Sequence, residues 1–146
     1  MKPLRWQGSW IIRAPQDKVY ALMTDFDSWA ELMPDIVKSA RVVRRTESAI
    51  VLEGIFNILG REGNGVMNFQ LHPLLGYDAE NASEILGEEK ETVRLETISE
   101  GTLYKWTVDA KPNGIHVRLL GKFLGHFIRR FYERTIIEPI RQALET

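Results

Sequence analysis

The run "GREGNG", residues 60 to 65, is the first place where this 146-residue sequence invites a chemical reading. Gly60, Gly63 and Gly65 fall at G-x-x-G-x-G. That order does not match the dinucleotide fingerprint, and no Gly-Lys-Ser/Thr follows to cradle a phosphate. A hairpin turn or bulge fits the spacing better. The three histidines, His72, His116 and His126, form neither an H-x-x-x-H nor an H-E-x-x-H pair, so no metal site is expected. No G-x-S-x-G signature marks a nucleophile. Asp25 follows a helical stretch and suits a cap or turn better than a general base. Arg41, Arg44 and Arg45 in "RVVRR" lack an aromatic platform or recognition-helix pattern, so nucleic acid is not an expected partner. No residue is given a catalytic role.

Tyr104 and Trp106 are better candidates for a binding role. Their rings add apolar area, while a buried O–H or N–H needs a partner and can orient a ligand's polar head. His126 lies beside an apolar helical stripe and is the other candidate polar group. The chain has no cysteine, which excludes disulfides, thiolate metal sites and a cysteine nucleophile. That fits a reducing, cytoplasmic setting. "MKPLRWQGSW" lacks the apolar core of a secretory signal, and no stretch approaches the ~18 apolar residues of a membrane span. Charge is uneven: residues 47 to 100 carry eleven acids against three bases, and six bases oppose three acids from Gly114 onward. A solvated helix face accounts for the basic end, and so would contact with an anionic surface.

The elements that must position these residues read as one domain, 1–146. Residues 5 to 13 predict a strand with Trp6, Trp10 and Ile12 on one face. Ala14-Pro15 ends it, and Val19, Leu22, Met23 and Phe26 then follow helical spacing. Ser28 to Glu31 has capping-box spacing for a second short helix, which Pro34 stops. Six more strands are expected at 36–46, 49–58, 64–72, 82–88, 91–99 and 102–111. Three of them alternate cleanly, as a sheet covered on one face should. Turns are expected at 46–48, 60–65, 87–89 and 100–101. Residues 118 to 145 predict a long helix whose stripe runs through Leu120, Leu124, Phe127, Phe131 and Thr135. Pro139 should kink or open it, and Gly121 and Gly125 either permit close backbone approach or leave the first turn separate from the long helix.

This order, with the wording "IIRAPQDKVYALMTDFDSWAELMP", resembles the START-related, birch-pollen-allergen-like (SRPBCC) superfamily. Within it the chain is similar to the polyketide cyclase/dehydrase group. The fragment "DSWAELMPDIVKSARVV" also resembles the coenzyme-Q-binding branch. The resemblance implies an α+β helix-grip fold: a seven-stranded, curved antiparallel sheet wrapped around a long C-terminal helix, with two short helices after strand 1. It also implies an internal cavity that residues 15 to 34 close at one end. A sheet that curves away from its helix leaves apolar, concave space, the usual setting of a small-molecule site.

On this basis a lining is expected from Trp10 and Ile12 on the first strand, and from Leu52, Phe56, Met67 and Phe69 on the middle ones. Leu95, Tyr104 and Trp106 join them, as do Leu120, Leu124, Phe127 and Phe131 on the helix. The expected function is binding or transport of a hydrophobic small molecule such as a lipid, quinone or polyketide-like compound. The alternative is an aromatase/cyclase acting in the same cavity. The apolar strand faces show few polar groups for such chemistry, which favours a non-enzymatic binder. No cofactor is expected. The expected partners are the ligand and a transient membrane surface, with the chain a monomer or weak homodimer.

Overall fold

Alternation of large apolar and polar residues drives most of the chain into strands, because extended backbone sends successive side chains to opposite faces. The computed structural model describes residues 4–111 and 115–145, the side chains of 115–120 and 122 excepted. Its strands are β1 (Leu4–Ile12), β2 (Val37–Arg45), β3 (Ala49–Ile58), β4 (Arg61–His72), β5 (Gly76–Ser83), β6 (Gly87–Ile98) and β7 (Gly101–Lys111). Helices α1 (Gln16–Met23) and α2 (Trp29–Leu32) follow β1, and α3 (Ile115–Tyr132) and α4 (Glu138–Leu144) follow β7. The seven strands form one antiparallel sheet in the order β1-β7-β6-β5-β4-β3-β2. This is the helix-grip fold.

β2 to β7 run as a meander, and β1 closes against β7 with Trp6 opposite Val108 and Trp10 opposite Tyr104. The register puts Ile50, Leu52 and Phe56 of β3 on the buried face and Glu53 outside. Gly54 of β3 lies tight against β2, where a Cβ would come within 2.3 Å of the Ser39 carbonyl oxygen. Only glycine permits that approach, and β2 is irregular beside it, between Val37 and Ser39.

Four local expectations are corrected. The strand expected at 82–88 is β5 at Gly76–Ser83, and the following turn occupies 84–86. Its inner face carries Tyr77, Ala79 and Asn81, and after the one ring the other two are too small or polar to show as apolar alternation. The glycine-rich turn shrinks to Leu59-Gly60, both at positive φ (53° and 86°), so Gly63 and Gly65 lie inside β4. Ser28 makes no side-chain cap bond, and a 3-10 turn at Phe26–Ser28 leads into α2 instead. The C-terminal helix is broken by a π-turn at Glu133–Ile137. Pro139 stands in the first turn of α4, where its missing N–H is tolerated.

The helix also presents a different face. Gly121, Ile128 and Tyr132 are buried, each one position on from Leu120, Phe127 and Phe131 of the expected stripe, while Thr135 is buried as expected. A Cβ at Gly121 would sit 2.1 Å from Leu4 Cδ1, and the Trp6 indole N–H donates to the Gly121 carbonyl at 3.1 Å. Contact between β1 and this glycine sets the rotation and turns Phe123 and Phe127 outward, 80% and 63% exposed. The Leu120 side chain lies outside the described residues.

α4 is tied to the sheet by the Arg141 guanidinium, which donates to the Ile11 carbonyl at 2.9 Å. α1 packs on α4, β6 and β7, while the segment from the 3-10 turn through α2 packs on β2. Among the described residues no helix is long and apolar enough to cross a membrane.

Candidate ligand cavity

The inner faces of β3 to β7 change character along their length. At one end Ile50 and Leu52 of β3, Phe69 of β4, and Val93 and Leu95 of β6 interlock with Ile12 of β1, all at most 4% exposed. At the other end the same strands offer Phe56, Gly65, Asn81, Glu89 and Val108. Glycine and shorter polar side chains cannot span the gap to α3, and a cavity remains. Its volume is about 130 Å³. An apolar cavity of ~150 Å³ can stay dry and hold benzene, so this one has room for a small ring system.

One wall of the cavity comes from the segment after β1. Met23 ends α1, Trp29 and Leu32 come from α2, and Met33 and Ile36 follow, all lining it. Four residues of the segment expected to close one end, Met23, Trp29, Leu32 and Met33, thus line the cavity. The Trp29 indole N–H donates to the Met23 carbonyl at 3.1 Å, locking the two helices together at the wall.

Five of the expected lining residues face this space: Phe56, Met67, Tyr104, Trp106 and Phe131. Trp10, Ile12, Leu52, Phe69 and Leu95 lie in the packed end instead. Trp10 illustrates why: its ring stacks on Tyr132 at 5.4 Å and meets Trp106 at 6.3 Å, leaving no free face for a guest. Leu124 is partly buried against the core, and Phe127 and His126 point outward on the exposed side of α3. The polar role assigned to His126 therefore has no place at this wall.

Other polar groups take that place. Glu89 and Glu91 of β6 share the inward parity of Val93 and Leu95 and line the cavity. Across the sheet, Asn81 of β5 pairs with Glu89, and its Nδ2 donates to Glu89 Oε1 at 3.0 Å. The Glu91 carboxylate is held from both sides, by the Trp106 indole N–H at 2.8 Å and the Tyr77 hydroxyl at 3.1 Å. Tyr104 and Tyr132 join their hydroxyls at 2.6 Å beside it. Among the described residues no Lys, Arg or His lines the cavity.

Burial pushes the Glu91 carboxyl up to about 7, and neighbouring Glu89 pushes the same way. The donors on Trp106 and Tyr77 hold the rise in check. Glu89 is raised by burial too, with the Asn81 amide opposing. The pair therefore retains a proton near neutral pH, in a position to give it up or take it back. Burial also raises the Tyr104 hydroxyl, which stays neutral.

A signal for these residues was present in "GEEKETVRLETI". Val93 and Leu95 define the inward parity, and Glu91 and Glu89 carry it two and four residues back from Val93.

Across residues 4–145 the sequence matches the family model described as polyketide cyclase / dehydrase and lipid transport. The chain belongs to that family. No curated protein matches it by sequence. Among solved structures, TTHA0849 of Thermus thermophilus superposes with a TM-score of 0.76 at 17% identity, covering 94% of both chains. The aromatase/cyclase Zhui of Streptomyces sp. R1128 gives 0.75 at 15% identity, covering 97% of this chain and 93% of its own. A START superfamily protein from Mycobacterium smegmatis gives 0.68 at 15% identity, covering 90% and 96%. At these identities the likeness shows the fold. Membership of the polyketide cyclase/dehydrase and lipid transport family supports a hydrophobic-ligand or cyclase role for the cavity.

Proposed function

We propose that this member of the family binds or carries a hydrophobic small molecule, of lipid, quinone or polyketide-like character, in the cavity between the sheet and α3. The observation that carries this reading is the hollow end itself, walled by Phe56, Met67, Trp106, Ile128 and Phe131. Each ligand methylene buried there gains ~0.8 kcal/mol, so the part of an apolar ligand that enters the cavity needs few polar contacts. Delivery at an anionic membrane surface belongs to the same proposal. Exposed Phe123 and Phe127 follow one helical stripe with Arg130 and Arg134, an apolar row edged with positive charge. Native mass spectrometry with solvent extraction should find a retained apolar compound. An empty protein that also ignores a panel of lipids, quinones and aromatic polyketides would defeat the reading.

The aromatase/cyclase alternative is favoured by one specific observation, the part-buried Glu91 carboxyl pushed up to about 7 by its surroundings. Such a group can donate or accept a proton while the cavity holds a reactive chain in a folded pose. In that case Glu91→Gln should abolish turnover of a poly-β-ketone substrate while its binding persists. Equal turnover by the variant would remove the alternative.

A further inference from the structure

The acidic patch has a composition that a purely hydrocarbon guest does not explain. We infer that the cavity selects ligands carrying a protonated amine on an apolar body, with Glu89, Glu91 and Asn81 as the head-group site. This rests on the ligand-binding reading above and names the chemical class of the ligand.

Three observations lead there. Glu89 and Glu91 stand two residues apart on one face of β6, both lining the cavity, with no described cation beside them. Asn81 is 7% exposed and lines the same wall. Its Nδ2 is used on Glu89, while its Oδ1 is buried without a hydrogen-bond partner. An unpartnered buried acceptor is costly and calls for a donor. The patch thus offers acceptors of three origins, and a primary ammonium supplies three N–H donors.

Charge points the same way. Two neighbouring carboxylates in a partly buried wall repel each other, so one of them keeps its proton until a cation arrives. An ammonium allows both to ionise: the Glu91 proton leaves to solvent, and the cation takes its place between the carboxylates and Asn81 Oδ1. A neutral alcohol can donate one hydrogen bond but displaces no proton. A carboxylate ligand would set a further negative charge against the ionised member of the pair and is excluded. Beyond the head group, Trp106, Phe56 and Met67 line the space for the apolar body.

The test is calorimetric titration of the full chain with naphthylmethylamine, naphthylmethanol and naphthoate, in buffers of different protonation enthalpy near pH ~6.5. The amine should bind at least about tenfold tighter than the alcohol and release between about half a proton and one. Naphthoate should not bind. Glu89→Gln keeps an oxygen for the Asn81 amide and should remove most of the amine's advantage while alcohol binding persists. Glu91→Gln should in addition abolish proton release. If the alcohol binds as well as the amine, or Glu89→Gln leaves the amine's advantage intact, the amine site falls and the apolar cavity stands. If neither compound binds, both readings fall.

Discussion

One sheet carries two interiors. At the packed end, Phe69 meets Phe26 at 4.6 Å, Tyr77 at 4.9 Å and Trp29 at 5.5 Å, and Leu52 and Val93 are fully buried. At the hollow end, the same strands carry Gly65, Asn81, Glu89 and Glu91, and the helix above them does not reach the sheet. Backbone pairing continues unchanged across the division: Phe69 faces Ala79 in one register and Met67 faces Asn81 two residues on. The difference lies in side-chain volume and polarity alone. Hydrogen-bonded strands do not require a filled core along their whole length, so one end can stabilise the fold while the other stays open to a guest.

Four measurements break or sharpen this contrast. The largest effect is expected for Phe69→Ala, which removes the centre of the aromatic cluster and leaves a cavity that rigid neighbours cannot close. Urea unfolding should lose about 3–5 kcal/mol. A loss as small as that of a surface change would mean the packed end is not the stabilising one.

Next comes pH. The folded Glu91 carboxyl titrates at about 7, above its ordinary value of 4.5, so the folded protein holds this proton more tightly than the unfolded chain. That stabilisation is fully present below about pH 4.5 and is lost as pH rises through about 7. Unfolding free energy should therefore fall by up to about 3 kcal/mol across that window from this group, and Glu91→Gln should flatten the slope. An identical pH profile for the variant would show that the carboxyl is not confined as described.

Met67→Ala at the hollow end should cost only about 1 kcal/mol in the same urea assay, because its side chain already borders empty space. A cost equal to that of Phe69→Ala would erase the distinction. The smallest effect belongs to Phe127→Ser, on the outer face of α3. Stability should stay within about 0.5 kcal/mol of the parent, while binding to anionic vesicles, followed by co-sedimentation, should weaken. Unchanged sedimentation would remove this face from the delivery step.

Much of this architecture was legible without coordinates. Ile50, Leu52 and Phe56 announced β3 to the residue at both ends, because a half-buried strand must alternate. Ala14-Pro15 marked the passage from β1 to α1, since proline restricts its neighbour and forbids a donor. β5 was misplaced because Tyr77 is the one large ring on its inner face and Ala79 and Asn81 beyond it leave no apolar rhythm to detect. Helix rotation was missed for a related reason. Periodicity ranks Phe127 above Gly121, and only the approach of Leu4 and Trp6 makes the glycine the contact.

By itself, then, the sequence determined the order of elements and the antiparallel sheet, which follow from local spacing, while a cap at residues 15 to 34 came only from the resemblance to a known family. The tertiary structure alone decided which inward residues meet a partner and which meet a void. It also decided that Glu91, one acid among many in the chain, lies between the Trp106 indole and the Tyr77 hydroxyl. A residue's solvation depends on neighbours from other strands, and no count along one strand can supply them.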